Sequence, residues 1–167
     1  MRWYEADLRD LDLPAAGFDA IRTERVLMYI PDPDFERVLH RLLALVRPRG
    51  TLVLFELDYG ATILPEAGHG DDVVRRAHAI LECSLPQPWA GRRLPALLAD
   101  RGVAELDATP YSFAVNESVW RRIVRDTLLA HDDAGDGREL SAWLDDHPGS
   151  GLLAVFTGIL TTARLMR

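Results

Sequence analysis

The stretch TLVLFEL, residues 51–57, is the strongest indication of fold in this sequence, because nearly every position is apolar over the length of one β-strand. Such a run is typical of a strand covered on both faces, as in a parallel sheet. The preceding residues 34–47 carry apolar side chains at the i, i+3, i+4, i+7 spacing of an amphipathic helix. We predict that this helix is capped by Asp34 and that the turn RPRG, residues 47–50, ends it.

A shorter strand, FDAIRT, is predicted over residues 18–23, before that helix. Strand, helix and strand in this order form a crossover unit, in which the two strands run parallel. The β-branched segment 152–165 predicts a strand antiparallel to 51–57, on the side away from 18–23. Together these elements predict an α/β fold with a doubly wound, mostly parallel sheet and an antiparallel last strand.

The rest of the chain predicts further helices and one more strand. Residues 103–115 have the composition of an extended strand, and Pro110 inside it favours an edge position or a bulge. Helical spacing recurs in four segments, which are 71–85, 94–100, 117–130 and 138–144. At 167 residues, the chain is expected to form one domain, residues 1–167.

Composition disfavours several kinds of partner and chemistry. The net charge of −7 repels nucleic-acid phosphates and anionic lipid surfaces. All 19 basic residues are Arg, which excludes Schiff-base and P-loop lysines. A single cysteine, Cys83, cannot form an intrachain disulfide and suits a reducing cytosol. With no export signal and no apolar run of about 20 residues, we expect a cytoplasmic protein without nucleic-acid or membrane partners.

Two further classes of chemistry lack their residue patterns. The five histidines are scattered without HExxH or comparable spacing, so no metal site is expected. The serines lack the GxSxG elbow of serine hydrolases.

Five short motifs stand in an order that resembles one enzyme family. They are DLRDLDLP at 7–14, GFDAI at 17–21, ERVLMYIPDP at 24–33, LVRPRGTLV at 45–53 and ELDYG at 56–60. The string resembles the C-terminal portion of a class I S-adenosylmethionine-dependent methyltransferase, of the kind typified by ubiquinone and menaquinone C-methyltransferases. The resemblance implies S-adenosyl-L-methionine as cofactor and methyl transfer to a small-molecule acceptor, whose oxygen, nitrogen or carbon attacks the sulfonium methyl.

The resemblance also implies cofactor-binding residues. Asp7 matches the acid that accepts a hydrogen bond from the adenine amino group, with Leu8 against the adenine ring. Thr23, Glu24 and Arg25 match the positions after a strand that approach the methionine end of the cofactor. The alternatives are that Asp7 is an ordinary acidic loop residue and that Glu24 and Arg25 simply begin a helix.

Catalytic roles are implied for Glu56, Asp58 and Tyr59, which match positions facing the substrate. Carboxylates at i and i+2 on a strand share a face, so Glu56 and Asp58 could act as a general base or a clamp for a substrate amine. The alternative is a pair of solvated carboxylates at a strand end. Because all follow parallel strands, Asp7, Glu24, Glu56, Asp58 and Tyr59 are expected to cluster at one edge of the sheet.

The family's glycine-rich loop and its ribose-binding acid have no counterpart in these 167 residues. We therefore expect an incomplete cofactor site, a truncated domain that is a fragment of a longer enzyme, and residues 3–8 without their usual strand partners. Those residues would then fray, pair beside 18–23 or borrow an edge from another copy. The alternative function is an inactive remnant that acts as a binding or dimerisation module, for instance as a homodimer.

Overall fold

The computed structural model describes residues 3–64, 71–115, 125–130, 142–143 and 154–166. Two short 3-10 turns, Leu8–Asp10 and Leu27–Tyr29, accompany four helices and four strands. In chain order these are β1 (Phe18–Glu24), α1 (Asp34–Leu45), β2 (Val46–Ile63), α2 (Asp71–Cys83), α3 (Ala90–Ala99), β3 (Val103–Val115), α4 (Asp126–Ala130) and β4 (Ala154–Leu165).

The four described strands form one sheet in the order β1-β2-β4-β3. β1 runs parallel to β2, whereas β4 runs antiparallel to both β2 and β3. The predicted α/β class, the parallel crossover pair and the antiparallel last strand are therefore confirmed. One of the three described pairings is parallel and two are antiparallel. β3 lies at the edge, as Pro110 within it favours.

β2 is much longer than the predicted strand 51–57, because β4 pairs with it far beyond Leu57. The pairing joins Leu57 to Gly158 and Asp58 to Thr157, and after a register shift it resumes with Ile63 opposite Val155. Asp58 and Tyr59 consequently lie within the strand, whereas the predicted strand 51–57 ended before them; Glu56 lies within both. At the other end, the predicted turn 47–50 falls within the bounds of β2 but bulges from its pairing with β1: Val46 lies opposite Phe18 and Thr51 opposite Ala20, and Arg49 between them has a positive φ of 63°.

The helices differ from prediction mainly at their ends. Pro33 occupies the N-cap position of α1, so Asp34 is the first helical residue and not the cap. The carboxylate of Asp34 instead accepts a hydrogen bond from Arg37, 2.8 Å away. α3 begins four residues earlier than residue 94, and α2 ends at Cys83, which is exposed. The predicted helices 117–130 and 138–144 lie largely outside the described residues.

One face of the sheet is covered by α1 and α3. Buried Leu52 and Leu54 of β2 point to this face, and the Arg93 guanidinium of α3 lies 5.0 Å from the ring centroid of Phe35 in α1. α3 approaches closely because Gly91 has no side chain: a Cβ there would come within 2.8 Å of the Glu56 carbonyl oxygen. The opposite face is less covered among the described residues, and Tyr111 on it is 50% exposed.

Residues 3–7 form no strand, and Leu8–Asp10 is a 3-10 turn that contacts α1. Of the outcomes expected for residues 3–8, pairing beside β1 is not observed. The Arg41 guanidinium of α1 donates to the Leu11 carbonyl oxygen at 3.1 and 2.7 Å, which fixes this segment on the helix. Within the described ranges, no helix has the length and apolar character needed to cross a membrane.

Candidate functional site

A cavity of about 240 Å³ opens where β1 and β2 approach their carboxyl ends. This is the location at which open α/β sheets place their ligands. Most of the lining is apolar or aromatic, and one charged side chain is included. The described lining residues are Arg25, Met28, Tyr29, Leu57, Tyr59, Phe113, Val115 and Phe156.

Three aromatic rings form one wall of the cavity. Tyr59 meets Phe156 edge to face, with ring centroids 6.0 Å apart, and Phe113 stacks on Phe156 at 6.3 Å. Tyr59 is only 8% exposed, and burial raises the pKa of its hydroxyl. The Tyr59 side chain is therefore neutral at physiological pH and offers a hydroxyl donor in an apolar setting.

The opposite wall is the loop after β1, and Glu56 fixes its shape. The carboxylate of Glu56 accepts hydrogen bonds from the backbone N–H groups of Val26 (3.1 Å), Leu27 (2.9 Å) and Met28 (3.2 Å). Burial raises the pKa of Glu56, and the three N–H donors oppose that rise. Because both carboxylate oxygens are engaged, Glu56 holds the loop in place and does not face the cavity.

Asp58 shares the face of Glu56, as the i, i+2 spacing predicts, and points away from the cavity. Its carboxylate accepts from Arg92 of α3, from Nε at 2.6 Å and from Nη2 at 2.7 Å. The Asp58 side chain is almost fully buried, whereas that of Arg92 is half exposed. This ion pair joins β2 to α3, so no substrate-amine clamp is formed by Glu56 and Asp58.

Asp7, predicted to bind adenine, is exposed and already paired. Its carboxylate accepts from the Arg9 backbone N–H at 2.8 Å and from the Arg9 side chain at 2.6 Å and beyond. These hydrogen bonds lower the pKa of Asp7 from 3.8 to about 2. Leu8, next to it, is partly buried against the core.

Thr23 and Glu24 also lie outside the lining of the cavity. Glu24 accepts from the Arg22 guanidinium at 2.5 Å, and the buried Thr23 hydroxyl has no hydrogen-bond partner in the described structure. Of the predicted site residues, the structure brings only Arg25 and Tyr59 together in the cavity. The expectation that Asp7, Glu24, Glu56, Asp58 and Tyr59 cluster at one edge stays a prediction: only Tyr59 of the five lines the cavity, while Glu24 lies opposite Phe55, next to Glu56 in β2.

The two carboxylates for which the resemblance implies cofactor contacts are engaged in exposed ion pairs, and their role in cofactor binding stays a prediction. Arg9 occupies the carboxylate of Asp7, and Arg22 occupies that of Glu24. The described part of the chain also contains no group of three or more His, Cys, Asp or Glu side chains able to hold a metal ion.

A larger hollow of about 450 Å³ lies between the N-terminal segment and α1. Three arginines line it, but each already has a partner: Arg9 pairs with Asp7, Arg37 with Asp34, and Arg41 with the Leu11 carbonyl. The hollow also includes Asp10 and Asp12. This balance of charge gives no preference for a ligand of either sign.

Sequence reasoning did not identify the residues that complete the cavity, above all Phe113, Val115 and Phe156. The sequence did contain one indication of these residues. Phe113 and Val115 alternate on β3, and Phe113 pairs with Phe156 across the antiparallel ladder. The predicted antiparallel last strand, aligned with residues 103–115, could have placed these aromatic rings on one face.

Comparison with known sequences gives a partial match. No protein-family model matches the chain. An uncharacterized methyltransferase of Mycobacterium tuberculosis is 43% identical over 54 residues, which are 32% of this chain and 26% of that protein. An uncharacterized methyltransferase of Mycobacterium bovis matches to the same extent. The matched segment thus spans about a quarter of the length of these relatives.

Solved structures match over nearly the whole chain. The YcgJ protein of Bacillus subtilis has a TM-score of 0.59 at 12% identity, covering 99% of this chain and 71% of its own. A provisionally named methyltransferase of Bacillus halodurans has a TM-score of 0.55 at 14% identity, covering 96% and 69%. Phosphoethanolamine N-methyltransferase 2 of Haemonchus contortus, solved with phosphomonomethylethanolamine and S-adenosylhomocysteine, has a TM-score of 0.50 at 8% identity, covering 96% and 36%. This chain therefore has the fold of the class I S-adenosylmethionine-dependent methyltransferases.

Proposed function

We propose that this chain takes part in S-adenosylmethionine-dependent methyl transfer to a small-molecule acceptor, as the acceptor-binding part of a longer cytoplasmic enzyme. The observation that carries this proposal is the aromatic cavity at the carboxyl ends of β1 and β2 in a methyltransferase fold. The partial match to mycobacterial methyltransferases supports the same activity. S-adenosylmethionine is the methyl donor that the fold implies.

Within this function, the residues of the site have different roles. Tyr59 is the candidate catalytic residue, because its neutral hydroxyl lines the cavity in which the acceptor would lie. Glu56 is a positioning residue that holds the loop after β1, and Asp58 positions β2 through Arg92. The enzyme thus contributes mainly a preformed, water-poor pocket that orients the acceptor.

Transfer of a labelled methyl group tests the proposal. The chain is incubated with millimolar methyl-labelled S-adenosylmethionine and with 2-naphthol or 3-hydroxy-2-naphthoate, and labelled product is separated from donor. Val115→Trp, which fills the cavity, should abolish labelling. Tyr111→Trp, on the same strand but outside the lining, should leave it intact. Binding of either compound without any labelled product would contradict the proposed activity.

A second candidate is a dimerisation module, which the free edge of β1 favours. Among the described strands, β1 pairs on one side only, with β2, so its other edge presents unpaired backbone groups. Sedimentation velocity at increasing protein concentration checks this: a homodimer through β1 would appear as a second, faster species. A chain that remains monomeric at every concentration would exclude it.

A further inference from the structure

We propose, on the basis of the acceptor-binding function above, that Arg25 makes the cavity select an apolar acceptor that carries one negative charge. The chemical class is an aromatic or alicyclic carboxylate or a comparable monoanion. The same cavity is proposed to exclude a cationic amine of the same shape.

Arg25 is the only charged side chain among the described residues that line the cavity. The other seven are aromatic or aliphatic, apart from the hydroxyls of Tyr29 and Tyr59. A charge on a bound ligand therefore meets a guanidinium and no lining carboxylate. Arg25 is exposed, so solvent screens part of its charge, but the apolar walls leave the sign of the ligand's charge with a measurable effect on affinity.

The backbone holds Arg25 in a defined place at the end of β1. Its φ of 53° lies in the left-handed region, and its N–H donates to the Phe55 carbonyl oxygen at 2.7 Å. The next three N–H groups along the chain are held by Glu56. Because hydrogen bonds to β2 hold the backbone at and after Arg25, the Cα of Arg25 is held in a fixed position beside the cavity.

The neighbouring carboxylates do not compete for Arg25 in ion pairs. Glu24 pairs with Arg22, Asp58 pairs with Arg92, and Glu56 is buried with its oxygens on backbone donors. None of the ion pairs found within the described part of the chain includes Arg25. Its guanidinium is thus available for charge-assisted hydrogen bonds to an anion.

Tyr59 adds a neutral hydroxyl within the cavity that can bind an oxygen of the anion beside Arg25. Burial raises the pKa of its hydroxyl, which stays protonated at neutral pH and can donate to a ligand oxygen. Tyr29, 58% exposed, places a second hydroxyl at the mouth. An ammonium group would find no ionised acceptor among these side chains.

Isothermal titration calorimetry without methyl donor tests the proposal. The ligands are 2-naphthoate, 2-naphthamide and 2-naphthylmethylammonium, which differ mainly in charge. We expect the wild-type chain to bind the carboxylate roughly tenfold more tightly than the amide, and the ammonium most weakly. Arg25→Gln should remove the difference, and Arg25→Lys should retain most of it.

Two controls separate charge selection from loss of fold. Affinity for neutral 2-naphthamide should be unchanged in Arg25→Gln, which shows that the cavity is intact. Arg47→Gln, which removes an exposed cation at the other end of β2, should keep the wild-type preference. Equal affinities for the three ligands, a preference that survives Arg25→Gln, or no binding of 2-naphthoate would overturn the assignment. Selective binding without methyl transfer would contradict only the proposed enzymatic activity.

Discussion

The Glu56 carboxylate and the Leu27 backbone N–H lie 2.9 Å apart, which joins the middle of β2 to the loop after β1. Both residues are fully buried. A buried carboxylate is stable only when donors satisfy it, and Val26 and Met28 provide two more. One side chain of β2 thus determines the shape of the loop that forms a wall of the cavity.

Glu56→Gln should lower the free energy of unfolding by about 2–3 kcal/mol, because the amide places an NH₂ group against backbone N–H donors. Urea denaturation followed by circular dichroism measures this change. Glu24→Gln is the matched control: Glu24 is exposed on β1, so its substitution should change stability by no more than about 0.5 kcal/mol. A loss in Glu56→Gln no larger than in the control would contradict the assigned role.

The stability that Glu56 contributes should depend on pH. Burial raises its pKa above the ordinary value of 4.5 in the folded state. The folded protein therefore binds more protons than the unfolded chain between these two pKa values, and stability falls as pH rises through that window. We expect the difference in unfolding free energy between wild type and Glu56→Gln to decrease as the pH rises above 4.5. Urea titrations between pH 4 and 8 measure it, and a relative gain in stability over this range would contradict the raised pKa.

Local patterns in the sequence predicted the elements that carry their own periodicity. α1, β1 and the core of β2 follow from apolar spacing, and β3 from its composition. The extension of β2 to Ile63 was not predictable in this way, because Asp58 and Gly60 interrupt the apolar run and only the pairing with β4 continues the strand. The site depended even more on distant contacts. The partners of Glu56 lie about 30 residues away, and Arg92 lies 34 residues from Asp58.

Gly158 is expected to be intolerant of a side chain, because the Phe55 ring of the neighbouring strand occupies the space above it. A Cβ built at Gly158 would overlap that ring. Gly158→Ala should therefore lower the unfolding free energy by about 1–3 kcal/mol, the usual cost of overpacking. Thermal and urea denaturation measure this loss of unfolding free energy. In the double variant Gly158→Ala with Phe55→Leu, the smaller side chain should recover part of the loss, and an additive effect of the two substitutions would count against this contact.

The Asp58–Arg92 ion pair should contribute a measurable coupling energy. A double-mutant cycle with Asp58→Asn and Arg92→Met isolates it from other effects of each substitution. We expect about 1–2 kcal/mol, which is more than an exposed pair gives, because Asp58 is buried, and less than a fully buried pair gives, because Arg92 is half exposed. Arg37 and Asp34, a more exposed pair on α1, provide the comparison cycle and should couple by no more than about 0.5 kcal/mol. Equal coupling in the two cycles would contradict the effect of burial.

Finally, this 167-residue chain should bind S-adenosylmethionine only weakly, with a dissociation constant in roughly the millimolar range. Arg9 already occupies the Asp7 carboxylate, and the sequence contains no counterpart of the family's glycine-rich loop or ribose-binding acid. Titration calorimetry with S-adenosylmethionine and S-adenosylhomocysteine measures the affinity directly. Because the Asp7 carboxylate is paired with Arg9, Asp7→Asn should leave this weak affinity unchanged. Micromolar or tighter binding of either compound would contradict the predicted weak affinity, and a clear loss of affinity in Asp7→Asn would show that Asp7 contributes to the donor site.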